Sequence, residues 1–292
     1  MNPNQKLGMG CLLIIALTLS LFIVCVSKIP TPGDDQKGIE LSSKETKAGL
    51  LRIENFLIDS EPVILALEKM EQEKSIPVII LRVNTPGGSV VAAQEIYGKI
   101  LDLKKKGKKI VVSMGAVAAS GGYYISCPAD KIFANPGTLT GSIGAIMEFP
   151  RAEELFRKIG LDFNIIKSGE FKDMGSPHRE MKPQEKAMLL KVINDVHSQF
   201  TDDIESVRNL EPGKLGEIAD GRIFTGRQAL SEGLVDTLGS LSEAEAYACF
   251  IAGIKGKPKI YEYRKKTKIK DFFLDEVKGL FRRGYKTSYS LF

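Results

Sequence analysis

Three short apolar runs, each separated from the next by a stretch of helical periodicity, constrain the fold of this chain more than any other feature. They occupy residues 50–58, 77–83 and 109–113. Between them, Glu61–Gln72 carries Val63, Leu67 and Met70 on one helical side, and residues 89–103 carry Val90, Ile96, Ile100 and Leu103. Bounded apolar, β-branched runs read as buried strands. Strands that alternate with helices predict an α/β architecture, a parallel sheet covered by helices. Further strands are expected at 131–134 and 143–148, then a helix over 151–159. A long amphipathic helix over 183–207 follows, with Leu189, Ile193, Val196, Phe200 and Ile204 on its packing face. A short helix from Thr225 leads to a strand near 233–236, and residues 241–254 read as a last helix.

The third strand runs into Met114-Gly-Ala-Val-Ala-Ala-Ser120-Gly-Gly-Tyr-Tyr-Ile125. The small residues predict a tight turn, and Tyr123-Tyr124-Ile125 the start of a buried helix. A serine at such a corner has unpaired helix N-terminal amides and positive dipole beside its oxygen. Gly121, lacking Cβ, lets a carbonyl approach its own N–H. Nucleophile and oxyanion donor side by side are the elements of acyl transfer. An N-cap serine followed by packing glycines explains the same residues, and this stretch alone does not separate the two readings. Ligands of parallel α/β sheets sit at the carboxyl ends of strands. Asn84-Thr-Pro-Gly-Gly88 also follows a strand directly, so it is expected to converge with Ser120.

At 292 residues, with 43% hydrophobic and 26% charged residues, the chain has the make-up of a folded protein with one large core or two modest ones. A net charge of +5, with no basic stripe interleaved with aromatics in the central region, makes no case for nucleic-acid binding. Residues 7–27 carry no charge, and 11–26 are almost wholly apolar. About 20 apolar residues span a bilayer core of about 30 Å. Cys25-Val-Ser27 is a weak cleavage site, so residues 1–27 are expected to be an uncleaved signal anchor rather than a signal peptide. The flanking lysines do not fix its orientation. Residues 28–47, with Pro30, Pro32 and Gly33, read as a linker, 48–263 as the main domain, and 264–292 as a basic amphipathic tail. The tail suits a membrane surface or an ordinary packing helix equally. The four cysteines show no metal or disulfide spacing, and Cys127 is expected to be structural.

A serine nucleophile needs a base. Of the two histidines, His197 lies within the long helix and His178 in a loop with no supporting pattern. Lysine is the alternative, because burial against apolar groups frees its lone pair. Lys172, beside Phe171 in a glycine-containing loop after Phe163-Asn-Ile-Ile166, is the candidate, although most of the 41 Lys and Arg residues are solvated.

Residues 49–255 resemble the signal peptide peptidase A (protease IV) family of membrane-bound serine peptidases, in its short single-repeat form. The resemblance rests on Asn84-Thr-Pro-Gly-Gly88, Ala118-Ala-Ser-Gly-Gly-Tyr-Tyr124 and Ala134-Asn-Pro-Gly-Thr-Leu-Thr-Gly-Ser-Ile-Gly144. It also rests on Lys167-Ser-Gly-Glu-Phe-Lys-Asp173 followed by Ser176-Pro-His-Arg-Glu-Met181. It implies a Clp-protease/crotonase-like fold of repeated β-β-α units, preceded by one N-terminal transmembrane helix, with a Ser–Lys dyad and no metal or other cofactor. Ser120 matches the nucleophile, Lys172 the general base and Ser142 the hydroxyl that orients the lysine. Gly87 and Gly121 match the oxyanion donors. The implied activity is endopeptidase cleavage of remnant signal peptides by a membrane-anchored domain on the extracytoplasmic side. The implied assembly is a homo-oligomeric ring, an octamer for a single-repeat chain, in which Ser and Lys can come from different subunits. A membrane Ser–Lys protease acting on a scaffold partner would share this chemistry. A crotonase-type acyl-CoA enzyme would share the fold but need neither Ser120 nor Lys172. A non-catalytic membrane scaffold would need no intact Ser120, Lys172 and Ser142.

Overall fold

The computed structural model describes residues 46–254 and 259–263. The anchor at 1–27, nearly all of the linker and the tail at 264–292 lie outside the described residues. Among the described residues no helix is long and apolar enough to cross a membrane.

The chain order is β1 (Ala48–Glu54), α1 (Glu61–Gln72), β2 (Val78–Thr85), α2 (Val90–Lys105), β3 (Lys109–Ala119), α3 (Gly121–Ser126), β4 (Lys131–Ala134) and β5 (Leu139–Gly141). It continues with α4 (Glu153–Lys158), α5 (Pro183–Val207), α6 (Lys214–Ile218), β6 (Ile223–Thr225), α7 (Gly226–Ser231), β7 (Thr237–Leu238), α8 (Leu241–Ile251) and β8 (Ile260–Glu262). The eight strands among the described residues join one sheet, in the path β6-β5-β3-β2-β1-β8, with β4 joining β3 to β7. Every pairing is parallel except β5 with β6.

The expected α/β sheet is therefore present, but strands and helices alternate singly through β4 instead of following a β-β-α repeat. The reason lies in β3, which serves two partners in succession. Its residues 111–113 pair with β4 and its residues 117–119 with β5.

Both faces of the sheet are buried at its centre, as period-two side-chain alternation requires where Leu50–Leu51, Val78–Leu81 and Ile110–Val112 run apolar without a break. Leu51, Ile53, Ile79, Leu81, Val83, Ile110, Val112 and Met114 face the larger core. There they meet Leu67 and Met70 of α1, Ile96, Ile100 and Leu103 of α2, and Tyr123 and Ile125 of α3. Leu50, Val78, Ile80, Val111 and Phe133 face the opposite side and pack on Ala244, Ala248 and Cys249 of α8. Cys127 is buried behind α3, its thiol on the Tyr124 carbonyl, as a structural cysteine should be.

Three elements depart from the sequence reading. Residues 114–119 are not a turn but the continuation of β3. Val83 pairs with Met114 and Thr85 with Ala118, so β3 uses four residues where β2 uses two. The surplus bulges, and the Asn84 side chain fills the space beside Gly115 and accepts the Val117 N–H at 3.2 Å. Small residues are needed there to admit a side chain, not to turn the chain. The strand expected at 143–148 is absent. The pairing residues are Leu139–Gly141, because Ser142 has φ 50° and leaves the sheet. On α5, Phe200 and Ile204 are buried, whereas Leu189, Ile193 and Val196 are only half-buried beside exposed Met188, Leu190 and Val192. Among the described residues, no layer covers the exposed apolar side chains of the helix's N-terminal half.

Candidate active site

Ser120 is the one residue between the end of β3 and the start of α3. Its φ of 53° and ψ of −121° lie in a region that L-residues rarely occupy. Such backbone costs about 1–3 kcal/mol and persists only where the surroundings over-determine it. Three contacts do so here. Ser120 N–H donates to Gly141 O at 2.8 Å, Tyr124 N–H donates to Ser120 O at 2.9 Å, and Thr140 Oγ1 donates to Ala118 O at 2.7 Å. The side chain of Ser120 caps no helix amide. The N-cap explanation of this serine therefore fails on geometry.

Register brings the partners in. Thr85 pairs with Ala118 and Gly141 with Ala119, so the strands on both sides of β3 end level with Ser120. The residue after Gly141 is Ser142, held by its N–H on Arg222 O at 2.8 Å. Both serines reach one open cavity of about 220 Å³ at the carboxyl end of the sheet. Gly88, Gly121 and Gly144 share its wall, and Val90, Ala93, Tyr124, Ile146, Val196 and Phe200 make it largely apolar. Tyr124 forms part of the wall, its ring 4.6 Å from that of Phe200 and its hydroxyl bonded to the Asp203 carboxylate of α5. Burial pushes the Tyr124 hydroxyl pKa up, so it stays a neutral donor. Gln94 Nε2 donates a hydrogen bond to Gln199 Oε1 at 2.8 Å and so bridges α2 and α5 beside a second apolar cavity of about 290 Å³.

Among the described residues, the amides of Gly121 and Gly88 donate to no protein group. They approach closely, since a Cβ on Gly121 would lie 3.4 Å from Gly88 N. Gly87 is placed differently from the sequence expectation. Its N–H donates to Thr85 Oγ1 at 3.0 Å, and it does not line the cavity. The open amide of the Pro-Gly-Gly turn belongs to Gly88, because a Thr-x-Gly turn consumes the amide two residues after its threonine. Gly88 has φ 153° and a Cβ there would fall 2.3 Å from Leu57 O, so no other residue fits. Two neighbouring glycines both satisfied the motif, and the one signal that separates them is Thr85, two residues before Gly87.

Lys172 is not among the residues that line this cavity. It is exposed, and its side chain has no hydrogen-bond or ionic partner among the described residues. The apolar run before it, 163–166, forms no strand, and Ile166 is fully exposed. The burial expected to free the lysine is therefore not supplied by the described residues. His178 stacks on Phe163 with ring centroids 4.5 Å apart and bonds to Ser176, away from the cavity lining. His197 lies on α5 and does not line the cavity.

The loop of Lys172 is nevertheless ordered by a charge cluster. Arg179 Nε and Nη2 grip both oxygens of Asp173 at 2.9 Å, and Nη1 and Nη2 grip both of Glu185 at 2.9 and 2.6 Å. Lys167 Nζ adds a bond to Asp173 at 2.5 Å. Glu185 also accepts the Lys182 N–H at 2.8 Å and so starts α5. The Arg179 guanidinium holds the Glu185 carboxyl down at about 2 and, with Lys167, keeps Asp173 well below the usual carboxylate range.

Comparison with known proteins agrees with this architecture. The profile of Peptidase family S49 matches residues 102–252, and that of Clp protease matches residues 58–138. The chain is 46% identical over 192 residues to a Synechocystis sp. protein that carries a provisional protease name, covering 66% of this chain and 69% of that one. It is 31% identical over 238 residues to Protease 4 of Haemophilus influenzae, covering 78% of this chain and 37% of that one. It is 34% identical over 201 residues to the serine protease SPPA, chloroplastic, of Arabidopsis thaliana, covering 68% and 30%. With a sheet of the Clp-protease kind and a profile match across more than half its length, the chain belongs to peptidase family S49.

Proposed function

We propose that this protease is a membrane-anchored serine endopeptidase that uses a Ser120–Lys172 dyad to degrade hydrophobic peptides, signal peptides left after cleavage among them. The observation that carries the reading is Ser120 itself, a strained serine whose hydroxyl has no partner among the described residues and which shares an apolar cavity with Gly88 and Gly121, the bearers of the two open amides. Lys172 in neutral form takes the Ser120 proton as Oγ attacks the substrate carbonyl. The Gly121 and Gly88 amides receive the oxyanion, and the protonated lysine donates to the leaving amine. Water then attacks the acyl-enzyme with Lys172 as base again, releasing the acid and regenerating Ser120. Ser142, with φ 50° at the cavity wall, keeps the amine aimed. An apolar substrate and an apolar anchor at residues 1–27 put enzyme and peptide at the same bilayer, with the domain on its extracytoplasmic side. No cofactor enters these steps.

The base comes from a second copy in a homo-oligomeric ring, an octamer in its simplest form. Two observations support this: Lys172 stands outside the cavity of its own chain, and Leu155, Ile159, Leu161, Phe163 and Ile166 around its loop are exposed. Subunit mixing tests it. S120A and K172A proteins, each inactive alone, are expected to regain activity when dissociated and reassembled together, because an intact Ser120 then meets an intact Lys172 across the contact. A mixture as inactive as its components would show that the pair lies within one chain.

A further inference from the structure

We propose that Thr85 is a positioning residue of the oxyanion hole, acting through the Gly87–Gly88 peptide; this rests on the peptidase reading above. Thr85 is fully buried at the end of β2, in register with Ala118 two residues before Ser120. Its hydroxyl works in both directions. It accepts the Gly87 N–H at 3.0 Å and donates to the Gly87 carbonyl at 3.3 Å. The same carbonyl also accepts the Leu57 N–H at 2.8 Å.

These bonds have a geometric consequence. In a trans peptide the C=O and the following N–H point in opposite directions. Holding the Gly87 carbonyl toward Thr85 and Leu57 therefore turns the Gly88 N–H the other way, to the side where Gly121 N and Ser120 lie. Gly87 and Gly88 have φ of 102° and 153°, and without side chains the peptide between them is held by these hydrogen bonds, from Thr85 and from Leu57, rather than by steric bulk. A preorganised donor is worth more than one that must reorient as charge develops. Thr85 supplies that preorganisation without touching the substrate.

The proposal separates Thr85 from other buried hydroxyls. Thr138 is also buried, and its hydroxyl donates to Gly115 O at 2.7 Å, but it does not hold the Pro-Gly-Gly turn. The experiment compares T85V, T85S and T138V in the full chain, in detergent, with a fluorogenic apolar peptide and an apolar peptide boronate. For T85V, kcat is expected to fall about 10- to 100-fold with KM unchanged, a loss below that of removing a donor outright. Boronate affinity, which depends on the tetrahedral adduct, should fall by a similar factor. T85S restores the hydroxyl and should recover kcat to within about threefold. T138V removes a comparable buried bond and should melt lower, as T85V does, while keeping kcat. If T85V proves too unstable to assay, T85S and boronate binding at low temperature carry the comparison. Unchanged kcat in T85V, or T85S as impaired as T85V, overturns the assignment while the peptidase reading stands. Wild type that neither cleaves the peptide nor reacts at Ser120 overturns both.

Discussion

Replacing Ser120 with alanine is expected to lower kcat/KM for an apolar peptide at least about 10⁴-fold while leaving the chain folded, since loss of the nucleophile leaves only binding and the oxyanion donors. The contacts that hold the corner are made by the backbone of residue 120 and by Thr140, not by the serine hydroxyl. S120A should therefore melt close to wild type. S120G should be more stable than S120A by about 1 kcal/mol, and so melt higher, because φ 53° strains any residue with a Cβ and glycine's extra chain entropy offsets only part of the relief. A glycine variant that is both inactive and more stable would mark strain kept for function. Retained turnover in S120A would remove Ser120 from the mechanism, and S120G melting below S120A would show that the corner is not strained.

The second large effect concerns Arg179. The R179M variant is expected to lose about 10- to 100-fold in kcat, the scale of a misplaced catalytic group, and to melt several degrees lower. Its guanidinium is what joins Asp173, next to Lys172, to Glu185 at the start of α5. Glu185 is buried, so removing the arginine leaves its charge uncompensated. R179K keeps the charge but loses the paired fork and should fall between the two. The pH dependence gives a sharper test. Both carboxyls are held below their unfolded values of about 3.9 and 4.3, so their contribution is complete above those values. It is lost as pH falls through the folded ones, about 2 for Glu185. The gap in melting temperature between wild type and R179M should narrow from pH 5 down to pH 2. A gap that stays constant over that range would mean that the arginine acts through packing alone.

Both variants draw on residues that the sequence marked for different reasons. Ser120 was visible because an apolar strand, a run of small residues and a tyrosine pair meet there, a pattern set by neighbours in the chain. Arg179 stood out only as one letter of the Ser176–Met181 motif, with no role attached. Asp173, Arg179 and Glu185 are six residues apart in turn, and only a loop that doubles back brings them together. Gly88 was hidden for a related reason. Gly87 and Gly88 are both glycines of the motif, and the hydrogen bond that the Gly87 N–H donates to Thr85 decides which amide remains open.

The sequence alone determined the parallel α/β sheet, the strand-to-helix corner with Ser120 at its point, and the convergence of the Pro-Gly-Gly turn upon it. These follow from local periodicity, glycine placement and the rule that such turns gather at strand ends. Only the tertiary structure decided that β3 bulges around Asn84, that Ser142 stands beside Ser120 through the Ala119–Gly141 register, and that Lys172 lies outside its own chain's cavity. Each of these depends on pairing between segments distant in sequence. The hydrophobic pattern specifies which face of a strand is buried, but not which partner it meets or in what register.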